Sequence, residues 1–230
     1  MGKSFITRES ILSGAIQRLA ESSGDPGPWI SDTERNAILE TVLENENIDE
    51  DVWLFGYGSL VWNPAINFSD KSVGMIYGYH RSFCLWSSIG RGTPDKPGLM
   101  LGLRRGGSCK GIFYRIDAAD VRTELDIVFR RELITSAYRP IWLSARIRGC
   151  SEQKALAFVM NQNHERYAGP LNTETVVKII AEASGSLGSC SEYLYETVAQ
   201  LNKLGIPDKT LISLSEKVRV CQHDLLAKSG

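Results

Sequence analysis

From residue 52 to 116 the chain is written in strand-like runs with no helical segment between them. VWLFG, VGMIYGYHRSFCLW, LMLGL and KGIFYRI are separated by Gly/Pro-rich connections such as Gly90-Arg91-Gly92-Thr93-Pro94. A doubly wound fold needs strands that alternate with crossover helices, so this block excludes one. A helical pattern opening at Asp117 runs to about Leu133, and two more strand-like runs follow, RPIWLSARIRG and KALAFVM. Helical patterns then occupy 172–184, 190–204 and 208–227. Strands, one helix, strands and then helices predict an α+β fold, with a mixed or antiparallel sheet curled round a core.

Residues 1–50 read differently. Ile11, Leu12, Ala15, Ile16 and Leu19 recur at helical spacing until Gly24-Asp25-Pro26-Gly27-Pro28 breaks the pattern. Ser31-Asp32-Thr33-Glu34 opens a second helix as a capping box, with Ile38, Leu39, Val42 and Leu43 on one face. The expected organisation is a helical N-terminal extension, 1–50, that carries no chemistry, and a main domain, 51–230, that holds whatever site the chain has.

Composition removes several function classes. Lys+Arg number 26 against 27 Asp+Glu, a formal net charge of -1, so no global field draws nucleic acid or an anionic membrane. No apolar run approaches the ~20 residues of a membrane span, and the start of the chain has no apolar core of signal-peptide length. The five cysteines are odd in number, widely spaced and never CxxC, which predicts reduced thiols and a cytoplasmic location. His80, His164 and His223 are scattered, so no metal site is expected. Cys84, inside a strand-like run, is expected to pack rather than act as a nucleophile, and Trp53, Trp62, Trp86 and Trp142 to serve as core aromatics, with room for one of them to line a pocket.

Two local features point to chemistry. The first is VWLFGYGSLVW, 52–62, where Gly56 and Gly58 interrupt an apolar run. Glycine weakens a strand unless the backbone must turn sharply or admit a close neighbour. The pair fits either a plain β-bulge or a turn that aims backbone N–H groups at an anion. A Rossmann turn lacks its third glycine here, and a P-loop lacks its lysine. The second feature is the helix at 117–133. Val121, Leu125, Val128, Phe129 and Glu132 fall at i, i+4, i+7, i+8 and i+11, so an apolar stripe ends in a carboxylate, while Glu124, Arg130 and Arg131 fall away from it. An inward carboxylate loses hydration, which raises its pKa and suits it to carry protons near neutrality. The competing reading is a glutamate at a fraying helix end that pairs with Arg130 or Arg131.

FGYGSLVWNP, the RGTPDKPG connection, FRRE with a Tyr shortly after, and YAGPL occur together and in order. Over nearly all of 52–205 the chain resembles the ChaC branch of the γ-glutamylcyclotransferases. The resemblance implies a small curled mixed β-barrel with flanking helices and cleavage of glutathione to 5-oxoproline and Cys-Gly. It places the substrate loop on Gly56, Tyr57, Gly58, Ser59, Leu60 and Val61, the catalytic acid on Glu132, and a further tyrosine of the family on Tyr167. Two segments depart from related sequences: Pro97-Gly98-Leu99 stands where PGR is common, and Gly185-Ser186-Leu187-Gly188-Ser189-Cys190 stands where GPxGxN is common.

The implied reaction needs neither metal nor cofactor, because the substrate supplies its own nucleophile: the γ-glutamyl α-amine attacks the γ-carbonyl and closes a lactam. Two other functions fit the same parts. One is cyclotransfer on another γ-glutamyl peptide or amine, and the other is a non-enzymatic regulatory binding module on the same fold.

Overall fold

A computed structural model describes residues 5–46 and 50–229. Its centre is a closed barrel with strand order β1-β3-β2-β4-β5. The strands are β1 (Val52–Gly56), β2 (Asp70–Ser87), β3 (Gly98–Ile116), β4 (Tyr138–Ile147) and β5 (Glu152–Met160). Neighbours pair antiparallel except at the closure, where β5 lies parallel to β1 with Trp53 opposite Ala155 and Leu54 opposite Leu156. All five residues of β1 are buried, which explains a strand written as an uninterrupted apolar run rather than as an alternation.

Long β2 and β3 form one hairpin whose register shifts between Tyr77 and Tyr79 and again between Phe83 and Leu85. Such bulges bend a ribbon. The hairpin therefore serves two purposes: Gly74, Met75 and Ile76 pair with Ile147, Arg146 and Ala145 of β4 to build the barrel, while Phe83 to Ser87 pair with Gly98 to Leu101 and supply walls of the functional site.

Helix α4 (Val121–Glu132) packs its apolar stripe onto the barrel, with the Phe129 ring edge-on to Phe158 at 5.3 Å between centroids. A 3₁₀ turn, Ala118–Asp120, precedes it, and Asp117 makes no side-chain cap, contrary to the expectation of a helix capped by that residue. Helices α5 (Thr173–Glu182), α6 (Cys190–Lys203) and α7 (Lys209–Ser229) fall where the sequence predicts them. The short hairpin of β6 (Ser184–Gly185) and β7 (Gly188–Ser189), which carries no hydrophobic period, was not predicted.

In the N-terminal segment the first predicted helix is two, α1 (Arg8–Leu12) and α2 (Ala15–Glu21), broken where Gly14 takes φ +71°. Helix α3 (Asp32–Glu44) opens on the predicted capping box, Ser31 Oγ accepting from the Glu34 N–H while Glu34 accepts from the Ser31 N–H. The first four residues, and 47–49 at the expected domain boundary, lie outside the described set. The segment is no appendage in its packing. Ile11, Ile16, Ile30, Leu39, Val42 and Leu43 belong to the same hydrophobic core as the barrel residues.

That packing overturns part of the helical-wheel expectation for α4. Glu124 and Arg131 are only 2% and 6% exposed, because α1, α3 and the loop after β1 cover the face that the sequence assigns to solvent. Glu124 accepts from Arg8 Nη1 and Nη2 at 2.6 and 2.9 Å, and from the Asn67 N–H at 2.9 Å. A buried carboxylate is tolerated when donors surround it in this way.

Candidate active site

Strand β1 ends at Gly56, and the chain turns through a short 3₁₀ helix, Ser59–Val61. The hydrogen bonds of this turn run from the Val61, Trp62 and Asn63 N–H groups back to the Gly58 and Ser59 carbonyls, so the N–H groups that open it stand outside that ladder. Three anchors hold the turn. Arg81 Nε donates to the Tyr57 carbonyl at 2.7 Å while its Nη1 pairs with Asp208 at 2.7 Å. Tyr114 Oη donates to the Leu60 carbonyl at 2.8 Å. Arg131 Nη2 donates to Ser59 Oγ at 2.8 Å, and its Nη1 donates to the Asn63 carbonyl.

The two glycines answer to close neighbours. A Cβ on Gly56 would lie 3.0 Å from Ile112 Cγ2 and 3.1 Å from Leu60 Cβ; one on Gly58 would lie 2.7 Å from Tyr193 Oη. Gly58 is thus required by a phenol that arrives from α6, 135 positions further along the chain.

A cavity of about 170 Å³ opens against this turn. Tyr57, Gly58, Ser59 and Leu60 line it from the β1 exit, Arg131 and Glu132 from the end of α4. Three phenols converge there, those of Tyr57 and Tyr193 buried and that of Tyr138 partly so. Tyr57 Oη donates to the Phe158 carbonyl at 3.0 Å and Tyr138 Oη to the Leu101 carbonyl at 2.6 Å, while Tyr193 stacks edge-on with Trp62 and Phe83. Burial raises all three tyrosine pKa values, and the nearby Glu132 carboxylate raises them further, so the phenols stay protonated.

Glu132 is the last residue of α4, with 14% of its side chain exposed. Burial raises its pKa above the ordinary carboxylate value, while Arg131, with Nε 3.1 Å from Glu132 Oε1, pulls the other way and does not win. A carboxylate at a helix C-terminus also meets the negative end of the helix dipole. A carboxylate with a raised pKa is suited to exchange protons closer to neutrality than an exposed glutamate. Cys84 is fully buried and its thiol is pushed up to about 12 by desolvation, in line with a packing role. Among the described residues, no three His, Cys, Asp or Glu side chains are grouped to hold a metal ion.

Of the residues singled out in the sequence, the structure brings Tyr57, Gly58, Ser59, Leu60 and Glu132 to one cavity. Gly56, Val61 and Tyr167 are not among its lining residues: Gly56 and Val61 pack behind the turn, and Tyr167 lies beneath Arg104 and beside Cys84 and Met160. Arg131, Tyr138, Tyr193 and Arg166 line the cavity and were missed as site residues. A signal existed for Tyr193, a hydroxyl-bearing residue on the buried face that also carries Leu194, Thr197 and Leu201. Residues 1–50, expected to carry no chemistry, contribute the apolar side chains Ile6, Ile16 and Leu19 to the wall.

A small closed mixed barrel with flanking helices is the fold of the γ-glutamylcyclotransferase structures that this chain matches. The crystal structure of a glutathione-specific γ-glutamyl cyclotransferase from yeast matches with a TM-score of 0.70 at 20% identity, over 76% of this chain and 98% of that one. The chain belongs to the ChaC-like protein family, whose match spans residues 52–221 and so reaches well into α7. It is 34% identical over 215 residues to the glutathione-specific gamma-glutamylcyclotransferase of Escherichia coli K12, covering 94% of this chain and 93% of the relative. The Arabidopsis thaliana gamma-glutamylcyclotransferase 2-3 is 31% identical over 73% of this chain and 88% of its own. The human glutathione-specific gamma-glutamylcyclotransferase 1 is 31% identical over 65% and 69%.

Proposed function

We propose that this protein cleaves glutathione, releasing 5-oxoproline and Cys-Gly. The observation that carries the reading is Glu132: a carboxylate with a raised pKa in the wall of a cavity that Tyr57, Gly58, Ser59 and Leu60 of the glycine turn also line. Family membership and the printed activities of the relatives support the same substrate.

In this mechanism Glu132 takes a proton from the substrate α-ammonium, and the freed amine attacks the γ-carbonyl carbon. The lactam closes, the C–N bond to cysteine breaks as the proton on Glu132 passes to the departing amine, and the second proton lost from the ring nitrogen follows through the same carboxylate, so that Cys-Gly leaves as an ammonium. Holding amine and carbonyl in near-attack geometry recovers roughly 7–11 kcal/mol in favourable intramolecular cases. The N–H groups that open the turn at Gly58 suit the glutamyl α-carboxylate or the developing oxyanion. The protonated phenols of Tyr57, Tyr138 and Tyr193 set the polarity of a wall that is otherwise apolar, built from residues such as Met100, Leu101 and Phe158.

The site sits in a protein suited to the cytoplasm, where its substrate is abundant in reduced form. The five cysteines are all free, and among the described residues no helix is long and apolar enough to cross a membrane. A net charge of -1 offers nucleic acid no general attraction. The test is incubation of purified protein with glutathione, γ-Glu-Cys and γ-Glu-Ala, with 5-oxoproline quantified. Release from glutathione above the other two supports the reading, and release from none of them overturns it.

A further inference from the structure

Two arginines line the cavity, Arg131 and Arg166. Arg131 has all three guanidinium nitrogens committed: Nε to Glu132, Nη1 to the Asn63 carbonyl and Nη2 to Ser59. Arg166 is different. Its Nη1 donates to Ser88 Oγ at 2.8 Å and its Nη2 to Asp25 Oδ1 at 2.6 Å, while its buried Nε has no partner. Among the described residues, Arg35 Nε, Arg104 Nε and His164 Nε2 are also buried without partners, and none of those three residues lines this cavity. A buried donor left unmade is costly, and Arg166 belongs to the wall of the cavity, so its unmade donor points to a ligand atom.

The surroundings show that Arg166 is held in place. Residue 166 is 9% exposed, its backbone carbonyl accepts from the Trp86 N–H at 2.8 Å, and its guanidinium lies 5.5 Å from the Trp29 ring. Asp25 is 9% exposed at the side chain. Burial alone would raise its pKa, but Ser88, the Gly27 N–H and Arg166 together hold it below the ordinary value, so the pair is ionised. These partners come from two distant parts of the chain: Ser88 follows β2, and Asp25 and Trp29 belong to the N-terminal segment.

The proposed substrate carries two carboxylates. One belongs to the glutamyl group, which must lie at Glu132 and the glycine turn for the lactam to close. The other is the glycine carboxylate, at the far end of the departing dipeptide. We propose that Arg166 recognises the C-terminal carboxylate of the leaving peptide, through Nε–H and a remaining Nη N–H on the same edge of the guanidinium. That edge presents two parallel donors, the geometry that a carboxylate accepts. Asp25 shares the cation, so the resulting preference is moderate rather than absolute. The N-terminal segment thereby becomes a determinant of substrate choice, through the residue that orients Arg166.

This inference rests on the glutathione reading, and the test separates the two. Wild-type protein is assayed with glutathione and with its glycine amide, which keeps the nucleophile, the scissile bond and the size but lacks the terminal charge. The expected kcat/KM ratio of acid to amide is about 10- to 100-fold, carried by KM. In Arg166→Gln the ratio falls to about one because KM for the acid rises, and Arg166→Lys recovers part of it. A residue that only supported the fold would lower both substrates together and leave the ratio intact. A wild-type ratio near one overturns the proposal, as does an Arg166→Gln ratio equal to that of wild type. If Arg166→Gln does not fold, the wild-type ratio decides alone. Absence of 5-oxoproline from both compounds would instead bring down the glutathione reading itself.

Discussion

Arg131 and Glu132 are adjacent in the chain and also paired in space, Nε to Oε1 at 3.1 Å. Successive residues in a helix do not normally face one another. Here the helix stops at Glu132, Leu133 leaves the helical region at φ -106° and ψ 56°, and both side chains converge on the turn after β1. Arg131 therefore joins the acid to Ser59 and Asn63, and couples the charge of Glu132 to the position of the turn after β1.

Glu132→Gln should fold and lose about 10²- to 10⁴-fold in kcat, since the amide keeps the shape but carries no proton. It should also be more stable than wild type at pH 7. A raised native pKa means that the folded state holds its proton more tightly than the unfolded chain, so stability is lost as pH rises through the native value. Thermal melts should show the variant ahead at neutral pH and the difference vanishing below the unfolded carboxylate value. A variant that keeps half the wild-type kcat would remove Glu132 from the mechanism.

The acidic limb of kcat/KM should lie above the ordinary glutamate value, because Glu132 must be unprotonated to accept the proton and burial holds its pKa up. Arg131→Met removes the cation that opposes that shift, so the limb should move to still higher pH while KM rises from the loosened turn. A limb that stays put or moves to lower pH in a pH–rate series would contradict the coupling.

Gly58→Val should weaken glutathione binding about 10-fold or more, since its Cβ alone would stand 2.7 Å from Tyr193 Oη and must displace the phenol. Ala37→Val, on an exposed face of α3, serves as the control. Titration calorimetry in the Glu132→Gln background measures both, and equal affinities would make the turn a structural feature only.

Glu124→Ala should cost about 3 kcal/mol, because Arg8 and the Asn67 N–H lose a buried acceptor. Glu40→Ala breaks the exposed pair with Arg122 and should leave stability close to that of wild type. Urea unfolding distinguishes the two, and equal costs would show that Glu124 gains nothing from its burial.

N-acetyl-glutathione should yield no 5-oxoproline, having lost the nucleophile, and oxidised glutathione should be a poor substrate for a cavity of about 170 Å³. Chromatographic quantification of 5-oxoproline decides both. Turnover of the acetylated compound at the rate of glutathione would require a water or side-chain nucleophile, whereas turnover of the dimer alone would show a wider cavity and leave self-attack standing.

What the sequence determined by itself is local. The stripe Val121, Leu125, Val128, Phe129 and Glu132 is set by the 3.6-residue period, the Ser31–Glu34 box by the needs of a helix start, and the strand block at 52–116 by unbroken apolar runs between turn residues. Each is legible because neighbours in the chain are neighbours in the element. The tertiary structure alone decided which faces meet. Glu124 looks solvent-facing on α4 until Arg8, 116 positions away, and the loop at Asn67 cover it. Tyr57, Tyr138 and Tyr193 share one cavity, and Asp25 reaches Arg166 across 141 positions, through barrel closure and helix docking. No period links such distant partners, and a polar residue on a second helix face reads as solvated until another element removes the water.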